Sequence, residues 1–302
     1  MQQEYTGESF LAKRLLMPLA ASKDEFFEAD YNMNLYRGCN HGCIYCDTRS
    51  ECYRIDRFDE VRYKQNCITM LEDELRRKKK AGIVFLGSAG DPYNALEAQM
   101  CITRRALELL RKYGFGIGLT TKGTLVARDA EVLAAIAKKA PARVAFSITT
   151  ADDGLAKLVE PGAPASSERF AAMRKLADAG VYTGVWLNPM LPFLTDVEED
   201  MVALLEKIAA CGGRYVMCHF GMTLRTGNRE YFFAALDREL RFAGVKQKYA
   251  DAFGLDYMCA SPHAKRLYAV LQSTCKTLKL AYSFADINRA AREQCPQQLA
   301  LW

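Results

Sequence analysis

From residue 83 onward the sequence keeps returning to one alternation: a short apolar run, then a longer segment of helical periodicity. Residues 83–86, 116–120, 144–148, 181–187 and 214–218 read as strands, and residues 98–112, 129–139, 167–179, 197–210 and 229–242 as the helices that follow them. Upstream, residues 31–37 alternate as a first strand, and residues 61–80 form its helix. Near-continuous apolar strands separated by helices belong to βαβ units, in which a parallel sheet is covered on its faces. Six such units predict an α/β fold, an open and partial (β/α)6 barrel. Residues 264–278 and 284–293 read as further helices that close one side of the barrel or cover its mouth. The expected organisation is an N-terminal arm (1–28), a core (29–245) and a helical C-terminal extension (246–302), with no linker that makes the last independent.

Chemistry in such barrels gathers at the C-terminal ends of the strands. The second strand runs into Gly87-Ser88-Ala89-Gly90-Asp91-Pro92-Tyr93, where small residues let a ligand approach the backbone. The same residues also suit a plain strand-to-helix turn. The third strand ends in Thr120-Thr121-Lys122-Gly123; Lys122 is a point charge for a carboxylate, or a solvated surface ammonium. Ser147, with Thr149 and Thr150 beyond it, is a ligand hydroxyl or a strand cap. The fifth strand runs into Asn188-Pro189-Met190-Leu191-Pro192, and the sixth ends in Cys218-His219.

The first strand ends in Arg37-Gly38-Cys39-Asn40-His41-Gly42-Cys43-Ile44-Tyr45-Cys46, three cysteines at the spacing C-x3-C-x2-C. Gly38 and Gly42 allow the tight turns that bring three thiolates into one concavity. Three soft ligands on a short loop suit an iron–sulfur cluster or zinc. Zinc wants a fourth ligand, and His41 or Cys52 is near in sequence. A [4Fe–4S] cluster has four irons, so three cysteines leave one iron open for chemistry.

This spacing, with Tyr45 just before the last cysteine, resembles the signature of the radical S-adenosylmethionine (radical SAM) enzymes. The string from Asn34 to Cys46 resembles the branch that includes spore photoproduct lyase. The resemblance implies a radical SAM barrel with a [4Fe–4S] cluster on Cys39, Cys43 and Cys46 and S-adenosylmethionine as cofactor. It places Tyr45 beside the cofactor, and the segment with Gly87 and Ser88 around the methionine amino group. Lys122 would contact the carboxylate or ribose, Ser147 would hydrogen-bond the cofactor, and the Asn188 segment would wall the adenine. It also implies reductive cleavage to a 5′-deoxyadenosyl radical that abstracts hydrogen from a substrate carbon, and a reductant such as flavodoxin or ferredoxin.

The chain departs from the family in three places. Gly-Ser-Ala-Gly stands where Gly-Gly-Glu is common. In Glu160-Pro161-Gly162-Ala163-Pro164, Gly162 stands where an arginine is frequent, which puts that arginine's role in doubt. No cysteine follows the second strand, so photoproduct lyase activity is not assigned. Cys218 is the candidate catalytic thiol, with Cys259 as another, and incidental burial is the plain reading of both. Cys259, Cys275 and Cys295 are too irregularly spaced to argue well for a second cluster. The competing class is a non-catalytic iron–sulfur or zinc protein that binds nucleic acid on the same fold. It would have little need of Ser88, Lys122 and Ser147.

A net charge of +5 over 302 residues is compatible with an anionic partner such as DNA and diagnostic of none. The basic run Arg76-Arg77-Lys78-Lys79-Lys80 suits a helix C-terminus. Residues 298–302, Gln298-Leu299-Ala300-Leu301-Trp302, resemble the short peptide by which replication and repair proteins dock on the sliding clamp. Eleven cysteines, no secretory pattern in the first residues and no apolar run of membrane-spanning length lead to the expectation of a reducing cytoplasm and no membrane.

Overall fold

The computed structural model describes residues 8–19 and 28–295. Six parallel strands form the frame: β1 (Tyr31–Met33), β2 (Ile83–Leu86), β3 (Gly116–Thr121), β4 (Ala142–Ser147), β5 (Tyr182–Leu187) and β6 (Tyr215–Cys218). They pair in sequence order from β1 to β6, each parallel to the next. Met17–Pro18 adds an antiparallel edge beside β1, and a single bridge from Tyr215 to Ala281 extends the other edge. The sheet does not close on itself among the described residues, which is the partial barrel expected.

The pleat sorts the strand side chains onto two faces. Val84, Leu86, Ile117, Leu119, Val144, Phe146, Val185, Leu187 and Val216 join the helix side chains in the main core. Those helices are α1 (Cys67–Arg76), α2 (Ile102–Tyr113), α3 (Ala130–Ala137), α4 (Ser166–Asp178), α5 (Glu198–Ala210) and α6 (Ala264–Leu278). The opposite, inner face presents Ala145, Tyr182, Tyr215 and Met217, with Ile83, Phe85 and Trp186 packed beside them. The final helix, α7 (Phe284–Glu293), lies against that inner face through Ile287 and Ala291. Its Asn288 accepts a hydrogen bond from the buried Arg143 of β4. The C-terminal extension therefore does two things: α6 packs on the helical layer and α7 fills the inside of the barrel.

Several expected elements change shape for identifiable reasons. The strand expected over 31–37 divides, because Tyr36–Arg37 leaves the main sheet to pair with Arg62–Lys64. That strand in turn pairs with Ser9–Phe10, so the helix expected over 61–80 is confined to Cys67–Arg76. The helix expected over 98–112 breaks at Cys101, whose φ is +50°. The buried Glu97 carboxylate accepts the N–H of Thr103 at 2.8 Å and of Arg104 at 3.2 Å, capping a fresh helix start there. The helix expected over 229–242 spans Asn228–Arg238, with a 3-10 turn at Leu240–Phe242.

Sequence periodicity missed the antiparallel pairing of Gly221–Thr223 with Met258–Ala260, and the helices Asp153–Val159 and Val245–Phe253. That pairing crosses the 245/246 boundary expected between core and extension. Residues 298–302, the clamp-like peptide, lie outside the described residues. Among the described residues no helix is long and apolar enough to cross a membrane.

Candidate active site

At the C-terminal ends of the strands lies a cavity of about 680 Å3, bordered by Cys39, Cys43, Tyr45, Cys46, Gly87, Ser88, Lys122, Ser147, Asn188 and Cys218. The three cysteines and the strand-end residues singled out in the sequence thus border one space, while Cys259, the other candidate thiol, is buried in a separate core cluster.

The cysteine loop follows from its backbone. Gly38 has φ +84°, and a Cβ there would stand 2.5 Å from the Glu60 carbonyl oxygen. The loop leans on residues 159–162 from the far side of the barrel. Ile44 N–H donates to the Val159 carbonyl at 3.0 Å, and Gly162 N–H to the His41 carbonyl at 2.8 Å. A Cβ on Gly162 would meet the Asn40 carbonyl oxygen at 2.3 Å. The contact that excludes an arginine at 162 is therefore the cysteine loop itself. A guanidinium is present all the same: Arg169, fully buried on α4, places Nη2 2.5 Å from Glu160 Oε2 and donates from Nη1 to the Ser147 carbonyl at 2.9 Å.

Cys39, Cys43 and Cys46 are free thiols, and burial pushes Cys39 up to about 12 and Cys43 higher still. Buried thiols give up their protons on binding a soft metal. His41 and Cys52, the two residues that would complete a zinc site, are engaged elsewhere. His41 Nδ1 stands 3.5 Å from Asp91, and Cys52 is exposed beside Arg225. Among the described residues no three His, Cys, Asp or Glu side chains are placed to hold a single metal ion, and Cys259, Cys275 and Cys295 form no such group. The donor set fits a cluster in which each thiolate takes its own iron.

The second strand end is braced to the third by Asp91. Its carboxylate accepts from Tyr93 N–H at 2.8 Å, Thr121 Oγ1 at 2.6 Å and Lys122 N–H at 2.7 Å. Burial, opposed by Asp91, lowers the His41 pKa and keeps its imidazole neutral. Gly87, at φ +103°, passes so close to β3 that a Cβ would sit 2.3 Å from the Thr120 carbonyl oxygen. Ser88 is exposed and donates to Asn32 at 2.9 Å.

Lys122 Nζ reaches Ser147 Oγ at 2.9 Å across the strand ends, so neither is a surface group or a simple cap. Burial works against its ammonium, yet the ionised Glu160 nearby favours it and its pKa is raised, so Lys122 is charged. Glu160 is the residue the sequence left without a role. It accepts from Tyr45 OH, from Thr149 Oγ1 at 3.2 Å and pairs with Arg169, and its Oε1 stands 3.9 Å from Lys122 Nζ. Burial alone would raise its pKa, but Lys122 and Arg169 hold the carboxyl below its usual 4.5.

Cys218 borders the cavity and also packs against the main core. The pleat sets it with Val216 on the helical side, and the neighbouring Cys275 of α6 belongs to the same core. The inward residue of that strand is Met217. Met222, Thr223 and Met258 of the paired strands Gly221–Thr223 and Met258–Ala260, with Trp186, Phe284, Asp47, Thr48 and His219, also line the cavity.

Residues 33–208 match the model of the Radical SAM superfamily. An uncharacterised protein of Mycobacterium tuberculosis is 36% identical over 215 residues, 69% of this chain and 63% of that protein. One of Methanocaldococcus jannaschii is 30% identical over 173 residues, 56% of this chain and 64% of that protein. The match thus spans less than two thirds of each relative's length. The structure of spore photoproduct lyase complexed with dinucleoside spore photoproduct superposes with a TM-score of 0.67 at 17% identity, covering 91% of this chain and 81% of that one. That likeness is one of fold. The family match takes in the cysteine loop and the first five strand ends, and with it the chain belongs to the Radical SAM superfamily.

Proposed function

We propose that the protein cleaves S-adenosylmethionine reductively at a [4Fe–4S] cluster on Cys39, Cys43 and Cys46 and turns the radical on a substrate held under the strand pair of Gly221–Thr223 and Met258–Ala260. The observation that carries this reading is the convergence of the three cysteines with the charged Lys122 and with Ser147 on one cavity. When bound, cluster and cofactor together supply a 5′-deoxyadenosyl radical that removes hydrogen from carbon. The chain's own residues position and enclose. Lys122 faces the cofactor carboxylate as a point charge with its Nζ fixed by Ser147. The close-packed Gly87 and the Asp91 brace hold the second strand end in place for the methionine end of the cofactor. Asn188 stands at the end of β5 for the adenine side.

Part of the remaining lining is apolar: Met217, Met222, Met258 and Phe284, all beyond the family-matched residues 33–208, stand beside the polar Asp47, Thr48, His219 and Thr223 and form the substrate half. An apolar wall excludes water and stray hydrogen donors from a reactive centre. For the substrate, a nucleic-acid component is the class we favour. Its support is a fold shared with a lyase complexed with a dinucleoside lesion, together with the net positive charge. With Ala89 and Gly90 after β2, and Cys218 turned to the helical side, the repair reaction of that lyase is not assigned.

The test is anaerobic reconstitution with iron and sulfide, followed by S-adenosylmethionine and dithionite. Wild type releases 5′-deoxyadenosine; Cys43→Ala loads no cluster and releases none. Full cluster loading without cleavage would mean a binding protein on an enzyme fold. DNA affinity that falls with salt supports the nucleic-acid class, and its absence even at low salt removes it.

A further inference from the structure

Glu160 lies 115 residues from Tyr45 in sequence and 38 from Lys122, yet it touches the surroundings of both. It is 1% exposed, and Arg169 is fully buried beneath it. A carboxylate this deep is retained only when it is paired and hydrogen-bonded. Its partners divide cleanly. Oε2 goes to Arg169, while Oε1 accepts from Tyr45 and Thr149. Lys122 Nζ, at 3.9 Å, is left outside hydrogen-bond range of the carboxylate and bonds Ser147 instead. Two cations share one buried anion, so a net positive charge faces the cavity at Lys122. Arg169 also holds the Ser147 carbonyl, so both ends of the Lys122–Ser147 contact trace back to the same ion pair.

We infer that Glu160, seated on Arg169, is a positioning residue that couples the cysteine loop to the anion site at Lys122. It ties the loop through the Tyr45 hydroxyl and aims the Lys122 ammonium into the cavity. The backbone bonds from Ile44 to Val159 and from Gly162 to His41 bring the same segment against the loop, so Glu160 and the loop move as one body. The role rests on the proposed reading of Lys122 as the group that meets the cofactor carboxylate. It requires no contact between Glu160 and the cofactor.

The experiment compares wild type, Glu160→Gln, Lys122→Met and the double variant, all anaerobically reconstituted. Glutamine keeps the shape and removes the charge. The readouts are iron content, the dissociation constant for S-adenosylmethionine by equilibrium dialysis, and the split between KM and kcat for its cleavage. Glu160→Gln is expected to keep its iron and bind S-adenosylmethionine about tenfold more weakly, the scale of one lost charge-assisted contact. The loss should appear mainly in KM. Because Glu160 acts through Lys122, the double variant should be no weaker than Lys122→Met alone. Unchanged affinity in Glu160→Gln, or additive losses in the double variant, overturns the inference. If Glu160→Gln does not fold, Tyr45→Phe removes only the hydroxyl arm. It should then lose iron to a chelator faster than wild type at unchanged melting temperature, and an unchanged loss rate overturns the coupling. A wild type that neither loads a cluster nor binds S-adenosylmethionine defeats the proposed function instead, which keeps the two failures apart.

Discussion

At the scale of single residues, Gly162 shows how a departure from a family pattern can be required rather than tolerated. Its missing Cβ leaves room for the Asn40 carbonyl oxygen 2.3 Å away, and its N–H holds His41 in place. Both contacts are backbone, which cannot swing aside as a side chain can. Gly162→Ala is therefore expected to lower stability by about 1–3 kcal/mol, the usual cost of forcing atoms into a packed site. The loosened loop should hold less iron after reconstitution. Denaturant unfolding and iron content check both, and an alanine variant with wild-type values for each refutes the packing argument. A guanidinium does lie beside this segment: Arg169, one turn into α4, pairs with Glu160. Sequence position suggested a missing function; geometry shows that a guanidinium reaches Glu160 from elsewhere.

At the scale of elements, α7 is the piece whose position matters most. An isolated ten-residue helix is marginal in water, so its place is set by what it buries. Its apolar stripe, Ile287 and Ala291 with Phe284, meets Tyr182, Tyr215 and Met217 on the inner face of the sheet. Ile287 is fully buried, and Ile287→Ala should cost about 2–5 kcal/mol, read as a shift in the urea midpoint. A cost under 1 kcal/mol would mean that α7 is not part of the barrel core. The limits of α6 and α7 were legible in the sequence because their periodicity and polar flanks are local. The break at Cys101 was not, since the Glu97 cap that causes it looks like any helical glutamate until its burial is known. The strand Gly221–Thr223 escaped for a similar reason. Its partner strand lies some 35 residues on, and three-residue strands carry almost no periodic signal.

At the scale of the whole molecule, the fold gathers charge it must keep ionised. Glu160, Asp152, Asp153, Glu72 and Asp286 all have pKa values held below their ordinary ones, by cations or by hydrogen-bond donors that outweigh burial. A depressed carboxylate pKa means that the unfolded chain binds the proton first. The stabilisation is then complete above the unfolded value, 4.5 for Glu160, and is lost as pH falls through the lower folded value. The exposed members of this set contribute little, being screened by solvent. The melting temperature should therefore hold steady from neutrality down to about pH 5 and drop below 4.5, with a smaller drop in Glu160→Gln. Equal acid sensitivity in the two proteins would show that Glu160 is not ionised in the fold.

The sequence by itself determined the cysteine spacing, the order of six strand–helix units and the strand-end residues that border the cavity. Each of these is written in neighbouring residues, where periodicity and turn chemistry act. Only the tertiary structure decided that Tyr45, Lys122, Glu160 and Arg169 form one buried ion network, that Met217 rather than Cys218 faces inward on β6, and that α7 fills the barrel. Those outcomes depend on which groups share a low-dielectric interior after the chain has closed. Burial and charge pairing between distant segments have no signature in local sequence.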